Sequence, residues 1–414
     1  MGPYWAAMQP FTHVGGCPWW KPLGLVLALA WGCNRGAAGG ETPFTPGSDS
    51  QVLERVPATA TDPRARERAA LRRELDANPR QLDLATRLAR LEVEAGRARG
   101  DPRHLGWAQA ALGPWWDAPE PPHEVRLLRA TIRQGRHEFD AALEDLEAAV
   151  REDPADAQSW LTRAVVLGVR GRHAEAARSC GPLEALVGEL PAAVCRAQVD
   201  SLSGHSRRAY ARLSQVLASR ARAASPREQA WGLSTLGEAA ARAGDVARAE
   251  VLYSQALSAD PDDAYTRAAF ADLLLDLGRP REVARLMEAH SQDDGQLLRR
   301  VLAETALGTP EARVLAEELA ARHAASRLRG DSLHAREEAR FALHVERDAD
   351  KALSLALENW RVQREPWDVR VLLEAALAAR RPEAARPALD FLASTDCEDP
   401  GLVALARQLE EAAP

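Results

Sequence analysis

The sequence predicts an all-α solenoid, a stack of helix pairs behind a leader with no fold of its own. Three observations predict it. Hydrophobic residues make up 46% of the 414 residues while aromatics make up only 5%, and Ala, Leu, Arg and Glu dominate. Such side chains lose little freedom in a helix. Alternating runs of Val, Ile and Thr, the mark of strands, are nearly absent. Finally, a pattern of small residues, a turn glycine and a closing Asp-Pro recurs along the middle of the chain.

The clearest unit runs from Ala230 to Pro261. Gly237 sits where two helices must touch, and Gly244 ends the first helix. Ala249, Tyr253 and Ala256 share one face of the second helix, and Ala259-Asp260-Pro261 closes the unit. Small residues let paired helices approach, the glycine accepts positive φ at a helix end, and proline stops one helix and starts the next. Spread over about 34 residues, this resembles the tetratricopeptide repeat (TPR). The resemblance implies a TPR-type right-handed α-α superhelix of about eight helix pairs, with a concave groove that binds protein partners.

In chain order, residues 1–32 come first. They hold Trp5, Trp19, Trp20 and Trp31, and Lys21 precedes the apolar run from Leu23 to Trp31. The run is shorter than the ~20 residues a membrane-spanning helix needs, and it has the layout of an export signal. Leu29-Ala-Trp-Gly-Cys33 resembles a bacterial lipoprotein lipobox. That resemblance implies cleavage before Cys33 and a lipid on its thiol. Asn34 after it implies the outer membrane, with the protein facing the periplasm. Ala30 and Trp31 depart from the pattern, standing where Leu and a small residue are usual, and the true start could be Met8. Residues 33–63 then read as a flexible tether, rich in Gly, Ala, Pro and Ser and without periodicity.

Residues 64–122 read as an atypical first repeat. Asp76-Ala-Asn-Pro79 resembles a repeat end, and Trp107, Trp115 and Trp116 are expected to cover the open end of the stack. Five units follow over 123–290. Their small and apolar positions include Ala130, Phe139 and Ala142, then Ala164, Gly171 and Ala176, then Ala197, Gly204 and Ala209. The clear unit comes next, and Phe270, Ala271, Gly278 and Met287 mark the last. Residues 291–414 are predicted as degenerate helical repeats with a cap at Gly401–Ala413. No unit can bury its apolar face alone, so stacking makes one continuous core.

The groove in such folds is lined by the first helix of each pair. The positions expected to face it include Glu124, Leu127, Gln158, Leu161, Trp231, Glu238, Arg242, Tyr265 and Asp272. Trp231 and Tyr265 are the candidate anchors for a partner, since aromatics dominate interface energetics. The competing reading is that both only pack between neighbouring repeats. Some TPR domains clamp a C-terminal carboxylate with Lys and Asn. Here Leu127, Thr131, Leu161 and Val165 occupy those places, so that class of partner is not expected.

Chemistry is sparse. The net charge is −7 and there is no basic stripe, so nucleic acid is not an expected target. Glu138 follows His137, but Ala141 replaces the second His of an H-E-x-x-H site. There is no P-loop, no G-x-S-x-G and no dinucleotide fingerprint. His137, His173 and His205 recur at repeat turns, about 20 Å apart on helix diameters, too far for one metal. Neither cofactor nor metal nor small-molecule substrate is expected. Of the five cysteines, Cys180 and Cys195 fall on antiparallel neighbours at similar height. They could form a disulfide after export, or remain buried thiols. The expected function is a non-catalytic scaffold, tethered in the bacterial envelope, that binds protein partners. Its rivals are a cytoplasmic adaptor with a misassigned start and an enzyme whose site is not recognisable.

Overall fold

The computed structural model describes residues 62–99, 101–220, 223–290, 293–328 and 335–412. The proposed signal, Cys33 and the tether as far as residue 61 lie outside these residues, while Asp62 and Pro63, read as the end of the tether, are the cap and first residue of the first helix. The described residues form helices only, in the antiparallel pairs of a TPR-type α-solenoid. No described helix is long and apolar enough to cross a membrane.

The first part consists of α1 (Pro63–Ala77), α2 (Leu82–Arg99), α3 (Arg103–Ala111) and the single turn α4 (Gly113–Trp116). Their core is built on Leu71, Leu88 and Leu112, with Trp115 and Trp116 half-buried against it. Trp107 lies at the surface of this part, its ring against His104 at 4.7 Å. It is 41% exposed, with Arg72 over its ring at 5.5 Å.

The central pairs are α5 (His123–Gly135) with α6 (Phe139–Glu152), and α7 (Ala157–Val169) with α8 (His173–Cys180). A short α9 (Leu183–Val187) intervenes before α10 (Glu189–Leu202) and α11 (Ser206–Arg220). Then come α12 (Pro226–Arg242) with α13 (Val246–Ala259), and α14 (Ala264–Asp276) with α15 (Pro280–Met287). Local chemistry sets these ends. Asp156, Asp245 and Asp263 each cap the following helix by accepting from its first free N–H groups, a contribution of about 1 kcal/mol apiece. Ser225 and Glu228 form a capping box at α12. Gly237 is glycine because a Cβ there would lie 2.8 Å from the Tyr253 ring. The turn between paired helices takes positive φ at Gly171, Gly204, Gly244 and Gly278, and at His137, which fills the same place in the first pair.

The chain continues through α16 (Asp294–Leu307), α17 (Pro310–Leu328) and α18 (Ala335–Phe341), the last running into a π turn (Ala342–Glu346). It ends with α19 (Ala349–Trp360), α20 (Pro366–Ala378), a 3-10 turn (Pro382–Ala385) leading into α21 (Arg386–Thr395), and α22 (Pro400–Ala412). This C-terminal part has its own core around Leu353, Leu372 and Leu373.

The C-terminal part folds back across the turns of the central pairs. Arg170 donates to the carbonyls of Arg361 (3.1 Å) and Val362 (3.0 Å). The Arg364 N–H donates to Val169 O at 2.8 Å. Gln363 bonds the His137 ring at 3.1 Å, and the Arg207 N–H donates to Glu398 at 2.8 Å. At Gly204 the approach is so close that a Cβ would stand 1.9 Å from Thr395 O. Arg370 grips Asp276 through two bonds of 2.7 Å. The solenoid is therefore closed on itself along a seam made mainly of hydrogen bonds and ion pairs, with Val362 packed against the central core.

Candidate functional site

Closure leaves a lumen of about 800 Å³, within the range of ligand-binding cavities. Its wall is made by α12, α14, α16, α18, α20 and α22, with α2 and α3 contributing at one side. These are mostly first helices of pairs, and the reason is local. Their outer faces pack on their own second helices, so the opposite face is left to the inside of the curve.

Of the residues expected to face the groove, Glu238, Arg242, Tyr265 and Asp272 line the lumen. The others do not. Leu161 and Trp231 belong to the central hydrophobic core, each 6% exposed. Trp231 is thus packing between repeats rather than an anchor for a partner. Leu127 is half-buried against the same core. Glu124 is solvent-exposed, and Gln158 is half-buried and bonds Thr162 at 3.3 Å.

Two clusters of charge organise the wall. Asp272, buried on α14, accepts from Arg299 (2.5 Å) and from Arg340 (2.9 Å). Burial opposes its charge, but the two guanidiniums outweigh it and hold the carboxyl below its ordinary range. Trp367 carries the neighbouring cations, with Arg340 4.2 Å and Arg370 4.5 Å from its ring centre. Arg336 reaches Glu337 (3.2 Å), Glu365 (3.1 Å) and Asp368 (3.3 Å). Asp368 is buried, which pushes its carboxyl up against the pull of Arg336.

Glu238 is different. It is 5% exposed and accepts a hydrogen bond from the Tyr265 hydroxyl. Its ion pair with Arg242 is long, 3.6 Å, and Arg242 also donates to Ser201 at 2.8 Å. Burial pushes the Glu238 carboxyl up to about 7, opposed by Arg242 and reinforced by the charges of Glu365 and Asp263.

The C-terminal wall, with Trp367, Arg336, Arg340 and Arg370, was not among the expected groove residues. The rule that first helices face inward, carried past residue 276 into α16, α18 and α20, would have found it. Cys180 and Cys195 are joined by a disulfide, with Cα atoms 5.7 Å apart. The bridge ties α8 to α10 inside the core and away from the lumen. The turn histidines do not converge. His137 stacks on Phe139 at 5.2 Å, His173 lies 5.8 Å from Phe391, and His205 approaches Ser203 at 3.4 Å. Among the described residues no group of His, Cys, Asp and Glu has the arrangement of a metal site.

Residues 240–304 match the tetratricopeptide repeat family, and no curated protein matches the chain. Among solved structures, a TPR protein of Thermus thermophilus is similar at 22% identity, over 46% of this chain and 97% of that one, with a TM-score of 0.36. A TPR protein of Parabacteroides merdae is 13% identical over 70% of this chain and 98% of that one, at a TM-score of 0.32. Human IFIT1, as a dimer with m7Gppp-AAAA, is 11% identical over 84% of this chain and 86% of that one, at a TM-score of 0.44. The described residues form an all-α solenoid of paired helices, and residues 240–304 match the tetratricopeptide repeat family.

Proposed function

We propose that this protein is a non-catalytic interaction scaffold that takes a segment of a partner protein into its lumen. The observation that carries this reading is the cavity of about 800 Å³ walled by the inward faces of successive helix pairs. Its half-buried aromatic side chains, Tyr265 and Trp367, and the charged ones beside them suit an extended segment. We further propose that Cys33 is lipidated and tethers the chain in the bacterial envelope, facing the periplasm. The lipobox-like sequence and the tether-like residues after it support this part. A disulfide within the core is consistent with an oxidising compartment.

One observation favours a catalytic reading. A buried carboxyl titrating near 7 beside a tyrosine hydroxyl in a cavity is a candidate acid–base group. Against it, the described wall holds no Ser, Thr, Cys or Lys, and its His137 ring is held by Gln363 and Phe139.

A photo-crosslinking side chain in place of Tyr265 is expected to capture a discrete partner, and one in place of exposed Val251 is not. Equal capture at both sites, or none at Tyr265, removes the lumen reading. The membrane claim is tested separately with Cys33→Ala, which is expected to lose lipid label and leave the membrane fraction. If wild type itself carries no label and fractionates as soluble, the cytoplasmic adaptor replaces it.

A further inference from the structure

The lumen is electrically lopsided. Among the residues that line it, ten carboxylates face six guanidiniums. The guanidiniums are largely spent on the protein's own carboxylates. Arg299 and Arg340 bond Asp272, Arg370 bonds Asp276, and Arg336 serves Glu337, Glu365 and Asp368. An anionic ligand would have to break these pairs to be held.

Most of the lining carboxylates are paired as well, Asp101 with Arg103 and Asp294 with Arg322 among them, but Glu238 offers a cation a different situation. Glu238 is buried in the wall, yet its hydrogen bond comes from a neutral hydroxyl and its guanidinium neighbour stands 3.6 Å away. Glu365 and Asp263 add negative potential at the same point. Low-dielectric walls focus such a field. Around it the surface is apolar, with Ala241, Ala268, Ala269 and Leu273 lining the cavity. A buried carboxylate with a long ion pair gains more from an arriving cation than an exposed one does, because water does not compete.

We infer that the lumen selects a partner segment in which a lysine or arginine is flanked by apolar side chains, the cation docking beside Glu238. The inference rests on the reading of the lumen as the partner site. The carboxylates exclude acidic segments by repulsion as they attract basic ones, so charge sets specificity as well as encounter rate.

The test uses three fluorescein-labelled heptapeptides of equal length, with leucine alternating with Lys/Arg, with Gln or with Asp/Glu. Fluorescence anisotropy is read at pH 8, where Glu238 is ionised. The basic peptide is expected to bind about tenfold more tightly than the neutral one, with the acidic one weakest. Glu238→Gln is expected to remove most of that advantage. Glu358→Gln, an equal loss of charge on exposed surface, is expected to leave it unchanged, which separates the lumen from general attraction to an acidic protein. If all three peptides bind alike and Trp367→Ala weakens all three, the lumen reading stands and the charge inference is overturned. Equal loss of the basic peptide in both Gln variants also overturns the inference. If no peptide binds, both fall.

Discussion

Glu238 makes a quantitative claim about stability. In the fold its carboxyl titrates near 7, against an ordinary value of 4.5. Below about pH 4.5 the group is neutral in both folded and unfolded chains, and its burial costs nothing as an ion. As pH rises, the unfolded chain releases the proton first. The fold then loses stability until the buried group also ionises near pH 7, and above that the loss is constant. The size follows from the two values at 1.36 kcal/mol per pH unit, about 3 kcal/mol, taken as an upper figure because local relaxation would lessen it. Glu238→Gln keeps an oxygen to accept from Tyr265 and cannot ionise. Its stability relative to wild type should therefore rise by about 3 kcal/mol between pH 4.5 and pH 8. Urea unfolding of both proteins at a series of pH values measures this. Any fixed change from altered packing against Arg242 is the same at every pH, and the protein's other carboxylates titrate in both chains, so both cancel. A difference that does not vary with pH, or that falls as pH rises, would refute the claim that Glu238 is buried as a strained anion.

Three further outcomes are expected. Arg370 and Asp276 have side chains 29% and 41% exposed, so their pair contributes no more than about 1 kcal/mol and its loss alone should leave the seam shut. The triple change Arg170→Ala, Arg370→Ala, Glu398→Ala should open it, read as a larger radius of gyration and faster exchange of the Arg364 amide. Gly204→Ala should destabilise more than Gly188→Ala. Both positions have positive φ, but only at Gly204 does the new Cβ meet another backbone, while nothing lies within 4 Å of Gly188. Equal losses in urea unfolding would show that the seam does not press on Gly204. Breaking the Cys180–Cys195 bridge, which closes a span of 15 residues, should cost about 3 kcal/mol. The check is urea unfolding with and without reductant, against a Cys180→Ser/Cys195→Ser variant that no longer responds to it.

The helix pairs were legible because their determinants are local. Asp263 caps the helix next to it, Gly244 turns the chain beside it, and Gly237 and Tyr253 are close in sequence as well as in space. The inward faces of α12 and α14 followed from the same frame, which named Glu238, Arg242, Tyr265 and Asp272, all four of which line the lumen. Trp231 stayed open between anchor and packing because position on a first helix does not say whether a large ring turns inward or toward the next repeat. Its ring lies in the core. The seam left no trace in the sequence. Arg170 and the Arg361 carbonyl it binds are 191 residues apart, and neither Arg170 nor Gln363 differs by type from any polar residue of a helix turn. Only the curvature summed over all intervening pairs brings them together, and no single repeat encodes that sum.

That sum has a consequence for how the molecule comes apart. An open row of repeats frays from its extremities, because a terminal unit has one neighbour where an interior unit has two. Here the segment from Arg361 to Glu398 lies on the turns of units far upstream, so the last pairs have neighbours on a second side. Local opening near the C-terminus must also release Val169, Gly204 and Arg207. Fraying is therefore coupled across the ring. Hydrogen exchange at α20 and at the turns of α7 and α10 should rise together, as in a hoop whose staves slacken at once when one is drawn.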